Sequence, residues 1–312
     1  MDLERSEHSR WVALFAARPL ASIFLLLTVA LPASAATLDR VRETGSLRVG
    51  FVDGARPFSY RDESGNAAGY SVALCQLVAD AVKEDLQLPQ LKIEFVPLGA
   101  EERFGAVKEG KVDLLCAAGA PTVKRREEVS FSIPIFLSGV GALVRRDAPA
   151  AMRAILEGKP EPYRPRWRAS LGQVLRGRIL AAPRATTAET WLAQRISEFG
   201  VEAKMESVDG FPAGVELVAD HRADALFGDR ALLLDAARRS PSAADLTLLD
   251  RRFTYEAVAL ALQRTDEDFR LLVDRALSRL YRSDQIVEIY ARFFGKPDEE
   301  TLRFLRTNSL AE

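Results

Sequence analysis

Three short stretches place charge or hydroxyls just after strand-like runs, and together they have the chemistry to hold a small dipolar molecule. The first, Asp113 to Ser132, reads DLLCAAGAPTVKRREEVSFS. A strand ends there in small residues, including Ala118 and Ala120, and a short basic turn containing Arg125 starts at Thr122. Backbone amides freed by small residues, together with a guanidinium, form a clamp for a carboxylate, because arginine donates two parallel hydrogen bonds to it. The competing reading makes Lys124, Arg125 and Arg126 a solvated basic face. The second stretch, Arg222 to Leu234, reads RADALFGDRALLL, and Asp229 opens the helix after the strand ADALF. An acid there caps the helix or complements its dipole; its other use is as counter-ion to an ammonium group. In the third, Ala185 to Glu189 (ATTAE), Thr186 or Thr187 is a natural N-cap, and the helix start offers amides to an anion. A cation for a carboxylate and an acid for an amine would recognise a zwitterion.

No catalytic arrangement competes with this. The chain has no G-x-S-x-G elbow, phosphate loop, zinc-ligand spacing or Ser-His-Asp set. Beyond residue 35 it carries two cysteines, Cys75 and Cys116, and one histidine, His221, so neither a metal site nor a cofactor is expected.

The elements that must position these residues alternate between strand and helix. SLRVGFV (Ser46–Val52) reads as a strand, and Gly65-Asn66 marks a hairpin-like turn. Val72, Cys75, Val78 and Val82 recur at helical spacing, and KIEFVP and Val112 to Cys116 are further strands around a short helix through Arg103 and Val107. A second α/β series runs from strand Arg178–Ala182 to the helix that starts at Asp229. Two extended runs, Phe131 to Arg145 and Phe253 to Leu262, link the series. Alternation of this kind predicts parallel sheets with covered faces. Two α/β series joined by two crossings predict a discontinuous lobe of 36–140 with 256–312 and a second lobe of 141–255. The default ligand site is the cleft between them, at the carboxyl ends of the strands. Lys159 to Arg168, rich in Pro and Arg, reads as a surface excursion.

The first 35 residues read as a secretory signal peptide. Arg5, Arg10 and Arg18 precede the apolar run Leu20 to Leu31, which ends in the small-residue site Pro32-Ala33-Ser34-Ala35. The run is short of the roughly 20 apolar residues that a membrane-spanning helix needs. The formal charge of -1 gives no electrostatic basis for binding nucleic acid. Export implies an oxidising compartment, where an even cysteine count favours a bridge between Cys75 and Cys116; two buried thiols are the alternative.

The segments LDRVRETGSLRVG, PFSY with GYSVALCQLVADAV, the spacing from Asp113 through Arg125 to Phe131-Ser132, ATTAE, RADALFGDRALL and IYARFFGKP follow one another in order. In this series the chain resembles family 3 of the bacterial solute-binding proteins, the polar amino-acid binders, and within it the glutamate/aspartate-binding proteins. The resemblance implies an α/β type II periplasmic-binding-protein fold, two lobes joined by a two-segment hinge that close on a ligand. It implies a periplasmic monomer that passes an amino acid to the membrane permease of an ABC transporter. Arg125 falls where the family binds the α-carboxylate, helped by Thr186 or Thr187, and Asp229 where it binds the α-amino group. Arg103 is kept, and Phe58, Phe211 and the extra charge of Arg56 join the expected ligand contacts, with the backbone of Ala118 and Ala120. Cys75 and Cys116 match a pair found in many relatives.

Departures from the pattern bear on the ligand. Ala120 stands where a hydroxyl usually touches it, and Val52 replaces an arginine that grips a side-chain carboxylate. Phe211, or a neighbour, replaces a histidine, and Ala100 a serine. A neutral side chain packed near Phe211 is therefore at least as well matched as glutamate. Pro149 to Trp167 is longer than the family usually shows. Two other roles fit the same fold. One is an enzyme like the cyclohexadienyl dehydratases, with Glu189 as proton donor; the other is a ligand-sensing receptor without a transport role.

Overall fold

A computed structural model describes residues 36–159 and 173–311. The signal peptide expected at 1–35 and most of the excursion expected at 159–168 lie outside the described residues. Helix α1 (Thr37–Thr44) leads into strand β1 (Ser46–Val52), a small hairpin of β2 (Tyr60–Arg61) and β3 (Ala67–Ala68), and helix α2 (Tyr70–Asp85). Strand β4 (Lys92–Leu98), helix α3 (Arg103–Lys108), strand β5 (Leu114–Gly119) and the single turn α4 (Val123–Arg126) follow. Short strands β6 (Val129–Phe131) and β7 (Phe136–Ser138) end this half. The first sheet has the order β4-β1-β5-β13-β6, where β13 (Glu256–Gln263) arrives from far along the chain and also pairs with β7.

The second sheet has the order β10-β9-β11-β8-β12, from β8 (Val140–Arg145), β9 (Ile179–Pro183), β10 (Lys204–Val208), β11 (Ala225–Asp229) and β12 (Leu246–Leu248). Its helices are α5 (Ala150–Glu157), α6 (Thr187–Glu198), α7 (Phe211–Ala219) and α8 (Arg230–Arg239). Three more, α9 (Glu267–Tyr281), α10 (Gln285–Phe294) and α11 (Glu299–Asn308), follow β13.

Helix α2 forms where expected and buries Val72, Cys75, Val78 and Val82, the face its spacing predicts. Strand β1 lies between two parallel neighbours, β4 and β5, which is why VGFV is buried throughout. Cys75 of α2 and Cys116 of β5 form a disulfide that pins helix to sheet. Asp113, just before β5, accepts hydrogen bonds from the Arg48 amide at 2.7 Å and the Arg48 guanidinium at 2.8 Å, and pairs with Arg40 of α1.

One expectation needs correction. The sheets are mixed rather than parallel: β13 is antiparallel to β5, and β8 is antiparallel to β11. Each is a strand that has crossed from the other sheet, so it arrives against the direction of its central neighbour. Helix α5, at the start of the stretch expected to be longer than in the family, buries Met152 and Leu156.

The chain leaves the first sheet after Ser138 and enters the second at Val140; it returns between Leu248 and Glu256. These crossings touch. Ser138 pairs with Glu256, and the Val140 amide donates to Thr254 Oγ1 at 2.9 Å. They form the two-segment hinge between the α/β lobes.

Candidate functional site

Two arginines of the first lobe and one backbone carbonyl of the second bridge the cleft. Arg125 lies in α4, whose cap Thr122 accepts a hydrogen bond from the Arg125 amide at 3.1 Å. Its guanidinium donates through Nη1 to the Ala120 carbonyl at 2.9 Å and through Nη2 to the Ala185 carbonyl at 3.2 Å. Arg103 opens α3, is 6% exposed, and donates Nη2 to the same Ala185 carbonyl at 3.1 Å. Both guanidiniums lie over the Phe104 ring, 4.8 and 4.7 Å from its centroid.

Burial sets the electrostatics here. Burial, with the Arg125 charge adding to it, pushes the Arg103 guanidinium down to about 10. Burial also lowers Arg125, while the negative charge of Glu256 opposes the shift. Among the described residues neither arginine pairs with a protein carboxylate. An anion placed between them would relieve the repulsion and gain charge-assisted hydrogen bonds.

The second lobe contributes the start of α6. Ala185 turns the chain with a φ of 56°, and its amide donates to Glu189 Oε2 at 2.9 Å. Thr186 caps α6 by accepting from the Glu189 amide at 3.2 Å, and donates its own proton to the Pro183 carbonyl at 2.7 Å. Glu189 Oε1 accepts from Ser207 at 2.6 Å. Thr186 and Glu189 therefore serve the helix, whereas Thr187 points its hydroxyl at Glu256 Oε2, 2.6 Å away. The other Glu256 oxygen accepts from Thr254 Oγ1 at 2.6 Å.

These groups surround a cavity of about 810 Å³ lined by both lobes, including Arg103, Phe104, Arg125, Thr187, Trp191 and Glu256. Its size is within the range of small-molecule sites. Ala100, Ala120 and Thr186 also line it. Glu256 was not singled out from the sequence. The available signal was an acid at the entrance of the apolar run Glu256–Gln263, but a single charge at a strand start is commonplace.

Asp229 ends β11 and caps α8, accepting from the Ala231 and Leu232 amides at 2.9 and 3.3 Å. Burial raises its carboxyl to about 6; the helix amides oppose this rise, and the nearby charge of Glu256 adds to it. Asp229 is thus in electrostatic reach of the cavity acid without lining the cavity itself.

Other expected contacts lie elsewhere. Phe58 is fully buried in an aromatic cluster, with ring centroids 5.0 Å from Phe136 and 5.3 Å from Phe294. Phe211 is 8% exposed at the start of α7 and packs onto Gly228, where a β-carbon would come within 2.6 Å of its ring. Arg56 spreads over the Tyr60 ring at 3.6 Å, and Ala118 packs on the edge of the core. None of these four lines the cavity: Phe58, Phe211 and Ala118 are packed into the core instead, and Arg56 lies on Tyr60. Val52 packs in an apolar cluster with Val107 and Val112.

The sequence profile of the bacterial extracellular solute-binding proteins, family 3, matches residues 47–296, and the chain belongs to that family. The chain is similar to the L-glutamate/L-aspartate-binding protein of Pseudomonas aeruginosa, with 26% identity over 262 residues, 84% of this chain and 80% of that one. In fold it is similar to a cysteine-binding protein of Campylobacter jejuni, with a TM-score of 0.66 and 23% identity over 86% of this chain and 97% of that one. It is likewise similar to an ancestral amino acid-binding protein described as a precursor of cyclohexadienyl dehydratase, with a TM-score of 0.65 and 24% identity over 83% of this chain and all of that one. The fold is the type II periplasmic-binding-protein fold.

Proposed function

We propose that this protein is the substrate-binding component of an amino-acid importer. It holds one small zwitterion between lobes of 36–140 with 256–312 and 141–255, and presents it to a membrane permease. The observation that carries this reading is the meeting of Arg103, Arg125 and Glu256 on one cavity, with Asp229 in electrostatic reach. The arginines, which pair with no carboxylate among the described residues, suit the α-carboxylate, and the acids suit the α-amino group. The names of relatives that bind glutamate and aspartate support the amino-acid class. Val52 argues against glutamate itself, since it offers no charge to a side-chain carboxylate. Glu189 is held by the Ala185 amide and the Ser207 hydroxyl, which supports a helix-capping role over proton donation. The protein is exported with its first 35 residues removed, and acts as a monomer.

A thermal-shift screen over the amino acids tests this. A ligand at 100 times its dissociation constant adds about 2.7 kcal/mol of stability. Arg125→Ala should weaken binding of the hit by about 30-fold or more without unfolding the protein, because it strips a buried charge of its partner. Unchanged binding by that variant would remove Arg125 from the site.

A further inference from the structure

Glu256 is the acid of the cavity lining closest to the hinge, and among the described residues no cation answers its charge. It stands at the first position of β13, on the hinge, opposite Ser138. Its two hydrogen bonds, from Thr187 and Thr254, come from neutral hydroxyls. Among the described residues no lysine or arginine pairs with it, although Arg125 is near enough to feel its field. An ionised carboxylate has about four acceptor positions. Two hydroxyls occupy two of them and fix the group's orientation. The remaining two are available on a residue that lines the cavity.

The inner charges of the site sum in an informative way. Arg103 and Arg125 contribute two positive charges; Glu256 and Asp229 contribute two negative ones. Lys124, Glu101 and Glu128 also line the cavity, but they are exposed, and water screens them. A ligand of zero net charge leaves the closed cleft neutral. An amino acid with a second carboxylate leaves one negative charge uncompensated, and a buried unpaired charge is costly.

We propose that Glu256 is a specificity-determining residue. Its free acceptor positions take the ammonium of an α-amino acid alongside Asp229, and its charge sets a preference for ligands of zero net charge over dicarboxylic ones. This rests on the amino-acid-binding reading above.

The test is calorimetric titration of the wild-type protein, Glu256→Gln and Arg125→Ala with each of the twenty proteinogenic L-amino acids. In the wild type the tightest ligand should be a neutral amino acid. Glu256→Gln should weaken it by about 30-fold or more. Glutamate should lose less, so that the ratio of the two dissociation constants moves toward glutamate by at least about tenfold. A residue that merely braced the hinge would weaken every ligand by the same factor; an unmoved ratio overturns the proposal. So does glutamate as the tightest wild-type ligand. If Glu256→Gln does not fold, Glu256→Asp keeps the charge and must keep the wild-type preference; loss of that preference also overturns the proposal. Binding lost in Arg125→Ala but unaltered in Glu256→Gln rejects the role of Glu256 alone. Absence of any binding to the wild-type protein rejects the parent reading with it.

Discussion

Replacing Asp229 by asparagine should make the empty protein more stable and the binding protein worse, and both effects can be worked from the site. Asp229 is partly buried at the end of β11, where burial raises its carboxyl from an ordinary 3.8 to about 6. The folded state therefore holds the proton more tightly than the unfolded chain does. Between those two values stability falls as pH rises, and above about 6 the full penalty for the buried charge is present. The gap corresponds to about 3 kcal/mol. Asparagine keeps an oxygen for the Ala231 and Leu232 amides and is as good an N-cap as aspartate, so the cap survives. Asp229→Asn should then gain up to about 3 kcal/mol at pH 7 to 8 without ligand, and nothing below pH 4. Urea unfolding of both proteins at one-unit pH intervals from 4 to 8 measures this. With a saturating amino acid the order should reverse at neutral pH, because an ammonium group binds the ionised form. A variant no more stable than wild type at pH 8, or a gap that does not change with pH, would refute the reasoning.

Two predictions concern the scaffold. The Cys75–Cys116 bond spans 41 residues of chain, so Cys75→Ser with Cys116→Ser should cost about 4 kcal/mol in urea unfolding; an unchanged midpoint would show that the link constrains nothing. Gly139, between β7 and β8, has room for hydrogen only: a β-carbon there would come within 1.8 Å of the Thr254 carbonyl. Gly139→Ala should destabilise the protein by about 2 kcal/mol or more, seen as a lower melting temperature. A native-like melting temperature would mean that the two crossings separate freely.

Local pattern carried much of the fold. The buried face of α2 could be read from spacing and the cap of α6 narrowed to Thr186 or Thr187, because both depend on residues within a few turns of one another. Asp229 as a cap was equally legible. Phe58 was not, since its partners Phe136 and Phe294 come from distant elements that only the closed core brings together. Arg125 was visible as a charge after a strand and Arg103 only through the family resemblance, and their shared grip on the Ala185 carbonyl was not visible.

The amino-acid order by itself marked many of the strands and helices, favoured a bridge between the two cysteines, and showed that cation and acid flank strand ends in separate halves. Tertiary structure decided that β13 crosses back antiparallel beside β5 and thereby carries Glu256 to Thr187 and into the cavity. The physical reason is range. Periodicity and capping are fixed by neighbours along the chain, whereas a charge's partners across a cleft depend on where a returning strand is laid down, and that is chosen by burial of the whole core.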